Sequence, residues 1–319
     1  MINRIKAYKK TVAVSGSANL FIGGLSATIT SAADLATYLS CSESDISNFA
    51  IIGDDLEAYI SVPYTVNDDA FSNLDITYFK DTENCKATGI RAFHSTVTKK
   101  LIRFSGLNIE TLGGVAFYTS GNYDKLKLVH LPNCTEVTYG GAPSFPYNCR
   151  ITRLYLPLAT TWGTTVGNNN IFGYNATYTN LYAEPTMETI NGGGVEGDIA
   201  FLDSKTGSTV TYVSDFTPPG NITDLSAGTI TSSSVVLNFT APSTTNALSF
   251  YEAWVYDEVN QIYKHFPYSE ITASGGTVTG LDANTTYKIK LAACDIYMNG
   301  SGLNTTPAWS NEIEITTAA

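Results

Sequence analysis

Leu126-Lys-Leu-Val-His-Leu-Pro132 and Ile151-Thr-Arg-Leu-Tyr-Leu-Pro157 align residue for residue at an offset of 25. In an extended chain successive side chains point to opposite faces. Val129 and Leu131 therefore share one face, as do Leu154 and Leu156, while His130 and Tyr155 stand on the other. Weaker copies are Leu101-Ile-Arg-Phe104 and Asn180-Leu-Tyr-Ala183, with Ile60-Ser-Val-Pro63 read as a first copy and Asp198-Ile-Ala-Phe-Leu202 as a truncated last one. A second mark accompanies them: Ala70-Phe71, Ala92-Phe93, Ala116-Phe117, Ser144-Phe145 and Ile171-Phe172, spaced by 22, 24, 28 and 27. No unit of this size buries its own apolar face, so the copies must stack into a solenoid. Each unit is expected to supply one short strand, turn at its proline and return through a loop whose Phe plugs the core.

This period and the Leu-x-x-Leu-x-Leu strand resemble leucine-rich repeats. The Ala-Phe mark and the Leu-Pro strand end are similar to the BspA-like subclass, over about residues 56–205. The stretch 1–55 lies outside the repeats and reads as an N-terminal arm and cap, since the ends of a solenoid must be shielded. Within it, Ser31 is placed to cap a helix, Asp34 to sit in its first turn, and Leu35, Tyr38 and Leu39 to form its apolar face. Residues 208–213 are expected to close the far end of a solenoid spanning 56–213.

Residues 214–220 contain Pro218-Pro219-Gly220, a stiff connector. Beyond it, in 221–319, seven short segments alternate between turns: 222–225, 234–240, 251–257, 263–266, 277–279, 287–293 and 312–316. That spacing spells a β-sandwich. The paired prolines, Val235-Val-Leu-Asn-Phe-Thr-Ala-Pro242 and Leu281-Asp-Ala-Asn-Thr-Thr-Tyr287 resemble a fibronectin type III domain, with Phe239 where that family usually carries Trp. The resemblance implies that Tyr287 forms a tyrosine corner. The expected fold is mainly β: a BspA-like leucine-rich-repeat solenoid followed by a fibronectin type III sandwich.

Composition agrees. Of 319 residues only 15% are charged, Thr is used 42 times, and Tyr (20) outnumbers Phe (14), a bias toward strands. A net charge of −11 argues against a partner bound through its phosphates, so no nucleic acid is expected. No apolar run is long enough for a membrane span. Five cysteines (Cys41, Cys85, Cys134, Cys149 and Cys294) form no CxxC pair and read as buried thiols. A Cys134–Cys149 bond is an alternative that stacked repeats would allow.

Chemistry-bearing patterns are sparse. His94, His130 and His265 have no metal-ligand spacing, and no GxSxG occurs. The glycine-rich Asn191–Gly197 stretch lacks the Lys-Ser/Thr of a phosphate loop, and Asp54-Asp55 and Asp68-Asp69 read as turn acids. No catalytic residue, metal or cofactor is expected. What remains is surface. Arg103, His130, Tyr155 and Tyr182, successively 27, 25 and 27 apart, are expected to form an outward ladder able to stack on a sugar or accept a peptide. Tyr118, Tyr147, Trp162 and Tyr174, near the turns, read as packing groups. On the sandwich, Tyr297 and Trp309 flank a Gly/Asn-rich loop that is a candidate binding tip.

Residues 11–25 make a poor export signal, being apolar only in patches. BspA-like repeats joined to fibronectin modules resemble bacteriophage virion proteins and bacterial surface adhesins. The expectation is a non-enzymatic virion structural or receptor-binding protein, located in the virion and contacting a host-surface glycan or protein or other virion proteins. Its basic arm (Arg4, Lys6, Lys9, Lys10) would act as an anchor. The alternatives are an extracellular or cell-surface adhesin and an accessory binding module of a glycan-degrading system.

Overall fold

The computed structural model describes residues 18–24, 28–52, 55–74, 76–94, 101, 103–118, 126–138, 151, 153–156, 158–159, 161–162, 181–183, 185, 209–213, 217–257, 262–266, 271–296 and 309–319. Its first part contains β1 (Leu20–Gly23), α1 (Ala32–Tyr38), β2 (Ile46–Ile52), β3 (Asp55–Ile60), β4 (Tyr64–Val66), β5 (Tyr78–Asp81), β6 (Cys85–Thr88), β7 (Arg103–Gly106), β8 (Thr111–Leu112), β9 (Leu128–His130), β10 (Glu136–Val137), β11 (Arg153–Tyr155), β12 (Thr161–Trp162), β13 (Leu181–Ala183) and β14 (Val210–Tyr212). The second part contains β15 (Ser226–Ile230), β16 (Ser234–Asn238), β17 (Leu248–Asp257), β18 (Ile262–Phe266), β19 (Gly276–Thr279), β20 (Thr286–Asp295) and β21 (Ile313–Thr316).

The first part is a β-solenoid. Among the described residues, the repeats from β5 to β12 each lay one strand in a sheet ordered β14-β13-β11-β9-β7-β5-β1-β3-β2 and another in a sheet ordered β12-β10-β8-β6-β4. The expectation of one strand per unit is thus corrected to two. The second set escapes a periodicity reading because β8, β10 and β12 are two residues long. Strands β5 to β14 of the first sheet run parallel, and β5, β7, β9 and β11 repeat at a strict 25: Tyr78, Arg103, Leu128 and Arg153 lie side by side.

Between the sheets lies one core. Phe79, Phe104, Val129 and Leu154 fill one column of it, and Phe71, Phe93 and Phe117 of the Ala-Phe loops fill another, all buried. Neighbouring rings in the loop column stack at 5.4 and 5.9 Å, and Phe93 and Phe117 meet Phe104 edge-on at 4.8 and 5.0 Å. Offset and edge-to-face contacts are what the aromatic quadrupole favours. Each of these phenylalanines follows an Ala preceded by a left-handed residue (Asp69 φ 56°, Arg91 φ 57°, Val115 φ 62°), so the turn geometry repeats even where identity does not. Gly113 permits the turns to stack closely, because a Cβ there would strike the Gly89 carbonyl. Cys85, Ile109, Cys134 and Ala159 are all buried in this core. Cys134 is a free thiol whose Sγ donates to the Glu136 carbonyl at 3.2 Å, and Cys149 lies outside the described residues.

The helix N-cap forms as its residues imply. Ser31 Oγ accepts the Asp34 amide at 3.0 Å, Leu35 is buried under α1, and Tyr38 stacks on Phe71 at 5.5 Å. Ile60-Ser-Val-Pro63 is not a repeat copy. Ile60 ends β3, which pairs antiparallel with β1 and β2, and the first parallel strand is Tyr78–Asp81. Tyr-Phe-Lys-Asp lacks the leucines of its neighbours, and this hid it.

The second part is a fibronectin type III-like sandwich, a three-stranded sheet β15-β16-β19 on a four-stranded sheet β18-β17-β20-β21. Val235, Leu237, Tyr251, Val255, Ile289 and Leu291 fill the space between them. Tyr287 Oη accepts the Asp282 amide at 2.8 Å, closing the tyrosine corner.

Candidate functional site

Alternation gives the repeat sheet a second, outward face. Since Phe104, Val129 and Leu154 point into the core, Arg103, Leu128 and Arg153 point out as one row, and Ser105, His130 and Tyr155 as the next. Both rows are largely buried: Arg103 is 2% exposed, Arg153 1%, Ser105 1% and His130 6%. The sandwich shares in this burial. On β17, Tyr251, Ala253 and Val255 face the sandwich core, so Phe250 and Glu252 face away from it. Leu128, Phe250 and Cys294 make a small apolar cluster of their own. Beside it Arg103 pairs with Glu252, itself 0% exposed, and the Arg103 guanidinium lies 5.7 Å from the Phe250 ring centroid.

The expected ladder is therefore corrected in register and in exposure. Arg103 pairs across with Leu128, and it is Ser105 that faces His130. Tyr182 faces Arg153, while Tyr155 faces His130. The apolar neighbours of Arg103 centre it in the sequence, two positions away from the residue that faces His130. Carrying the 25-residue offset of Leu126 and Ile151 back to Leu101 puts Arg103 opposite Leu128 and Arg153. Arg103 and His130 are buried, whereas Tyr155 and Tyr182 are half-buried at the border. His130 stacks flat on Tyr155 at 4.7 Å, and the Arg153 guanidinium lies 5.0 Å from the Tyr155 ring. Burial, reinforced by the Arg153 and Lys80 charges, pushes the His130 pKa down to about 3. Lys80, in the same outward row, is pushed down to about 8 by burial.

Trp309 is half-buried and meets Trp254 edge-on at 5.7 Å, with its backbone bridging Ala292. Trp254 gave no sequence signal beyond its type. Tyr297, Arg4, Lys6, Lys9, Lys10, Tyr147 and Tyr174 lie outside the described residues. Tyr118, half-buried, stacks on His94 at 5.8 Å, in keeping with a packing role.

Several further reactive groups among the described residues are engaged in the fold. Asp81, missed from sequence and fully buried, accepts Tyr64 Oη at 2.8 Å and the Glu83 and Cys85 amides at 3.0 and 2.9 Å; burial nonetheless raises its pKa. Burial also pushes Cys85 and Cys294 well up, and Cys134 to about 12, so these thiols are poor nucleophiles. Asp55 accepts Gly24 N–H and Tyr78 Oη, and Asp69 grips Arg91 with two bonds of 2.7 Å. Among the described residues no cluster of His, Cys, Asp and Glu has metal-binding geometry, and no helix is long and apolar enough to cross a membrane.

No protein-family model matches the chain, and no curated protein matches it. Solved structures do. The FN5 domain of Drosophila Lar is 20% identical with a TM-score of 0.24, covering 32% of this chain and 98% of that one. The FN1–FN3 domains of chicken CNTN1 are 16% identical with a TM-score of 0.23, covering 32% of this chain and 33% of that one. Strand order and the Tyr287 corner carry the fibronectin type III-like description of the sandwich.

Proposed function

We propose that this chain is a non-enzymatic recognition or structural protein of a bacteriophage virion, with repeats of the BspA-like leucine-rich class. Support for the repeat class comes from the 25-residue strand register and the phenylalanine column of the Ala-Phe loops. The observation that carries the recognition reading is the docking of the sandwich on the outward face of the repeat sheet. Arg103–Glu252 and the Leu128–Phe250–Cys294 contact hold the two parts together, and half-buried Tyr155 and Tyr182 border them. Such a unit presents aromatic groups on a rigid frame, and amphipathic rings held at low entropic cost are what recognition surfaces use. The partner is a host-surface glycan or protein, or a neighbouring virion protein reached through the basic arm. A cell-surface adhesin and a binding module of a glycan-degrading system would use the same surface.

Binding of the purified chain to host cells and to a glycan array, followed by analysis of the glycans for cleavage, tests this reading. Binding without turnover is expected. Turnover would overturn the non-enzymatic reading, and no binding to cells, glycans or virion proteins would overturn recognition.

A further inference from the structure

His130 points outward from β9 yet is only 6% exposed, and neither ring nitrogen meets a hydrogen-bond partner. Leu128, two residues earlier on the same face of β9, lies against Phe250 and Cys294 of the sandwich. Beside Leu128, Arg103 is held by Glu252. His130 therefore belongs to the docked region. The charged groups that bear on it, Lys80 on β5 and Arg153 on β11, are cations and oppose a proton there. Tyr155, opposite on β11, stacks on the ring as a neutral phenol. Arg103 lies on β7, and the sandwich brings Glu252 on β17 with Cys294 and Asp295 on β20. Glu252 is taken by Arg103, Asp295 accepts from Asn246 Nδ2 at 2.9 Å, and burial keeps the Cys294 thiol protonated. A proton on docked His130 would thus be a buried cation among cations, which is costly.

Releasing the sandwich admits water to the ring, and a solvated imidazole takes its proton near the ordinary value of about 6.5. The released state binds the extra proton, so docking is fully supported above that pH and weakens as pH falls. Each part keeps a hydrophobic core of its own, and the buried apolar cluster that joins them is Leu128, Phe250 and Cys294. One unpaired charge can outweigh so small a contact without unfolding either core. We propose that protonation of His130 undocks the sandwich from the repeat sheet while both parts stay folded, an acid-operated release built into their interface.

The full chain is tested with 4,4′-dithiodipyridine, which modifies thiols in acid, beside hydrogen exchange across β16. At pH 7 Cys294 should be protected. Below about pH 6.5 its rate relative to that of Cys41 should rise by about tenfold per pH unit, as linkage to one proton requires. Cys85 and Cys134 should stay protected over that range, and the β16 amides should stay slow to exchange. In His130→Phe, Cys294 should remain protected until Cys85 and Cys134 also react. A ring ¹⁵N titration of wild type should show His130 taking its proton as Cys294 becomes reactive, a readout that does not depend on the variant folding. The release is overturned if Cys294 stays protected until Cys85 and Cys134 react or the β16 amides exchange. It is equally overturned if His130→Phe releases at the same pH as wild type, or if the His130 ring stays neutral while Cys294 is labelled.

Discussion

The two faces of the repeat sheet are built on different rules. Inward, each column keeps one kind of side chain: Phe79, Phe104, Val129 and Leu154 succeed one another and are all buried. Outward, the columns change chemistry at every step, from Tyr78 to Arg103, Leu128, Arg153 and Tyr182, and from Lys80 to Ser105, His130 and Tyr155. Uniform columns are what a stacked core requires, because each layer must fit the next. Varied columns are what a particular partner requires, and here the first partner is the chain's own sandwich. The lesson is that burial alone does not tell a core from an interface; the repetition of residue type does.

Substitutions on the two faces should separate them. The largest effect is expected inside: Phe104→Ala removes a ring that touches Phe79, Phe93 and Phe117. It should cost about 3–5 kcal/mol in chemical denaturation. A similar loss from Ser105→Ala on the other face would erase the contrast. Next comes the buried pair. Arg103→Met leaves Glu252 charged and buried, which should cost about 3–5 kcal/mol, whereas Arg103→Met with Glu252→Met should recover most of that loss. Equal losses in the single and double variants would show that the pair is not a coupled contact.

Acid should act through His130. Burial holds its folded pKa at about 3, below the ordinary histidine value of about 6.5, so the unfolded chain binds the extra proton between those values. This contribution to stability is complete above about pH 6.5 and is lost as pH falls toward 3. His130→Phe should therefore gain stability relative to wild type across that window. A difference in Tm that is flat from pH 6.5 to 4 would contradict the placement of this ring. The smallest effect is expected at the Arg91–Asp69 pair, where both side chains are 48% exposed. Arg91→Ala should lower Tm only slightly, and less in high salt.

The inward face was legible because alternation and a 25-residue offset are local facts, visible in Val129 and Leu131 against Leu154 and Leu156. The helix cap at Ser31 and the corner at Tyr287 were legible for the same reason, since each is settled within a few residues. The outward rows were not. Ser105 and Arg153 carry no pattern of their own, and Arg103 was centred by its apolar neighbours two positions out of register. Glu252 and Phe250 meet the repeat sheet across more than a hundred residues of chain, so no local signal marks them. The ladder's tyrosines were found as residue types, while their company, an imidazole and a guanidinium, emerged only from strand pairing.

The docking of the sandwich on the outward face is tested most directly by Cys294, which is buried against Leu128 and Phe250, whereas Cys41 is half-buried near α1. Thiol alkylation of the native chain, read peptide by peptide by mass spectrometry, should label Cys41 quickly and Cys294 only on global unfolding. In Arg103→Met, Cys294 should become reactive while Cys85 and Cys134, inside the solenoid core, stay protected. Rapid labelling of Cys294 in the native wild-type chain would contradict the docked arrangement.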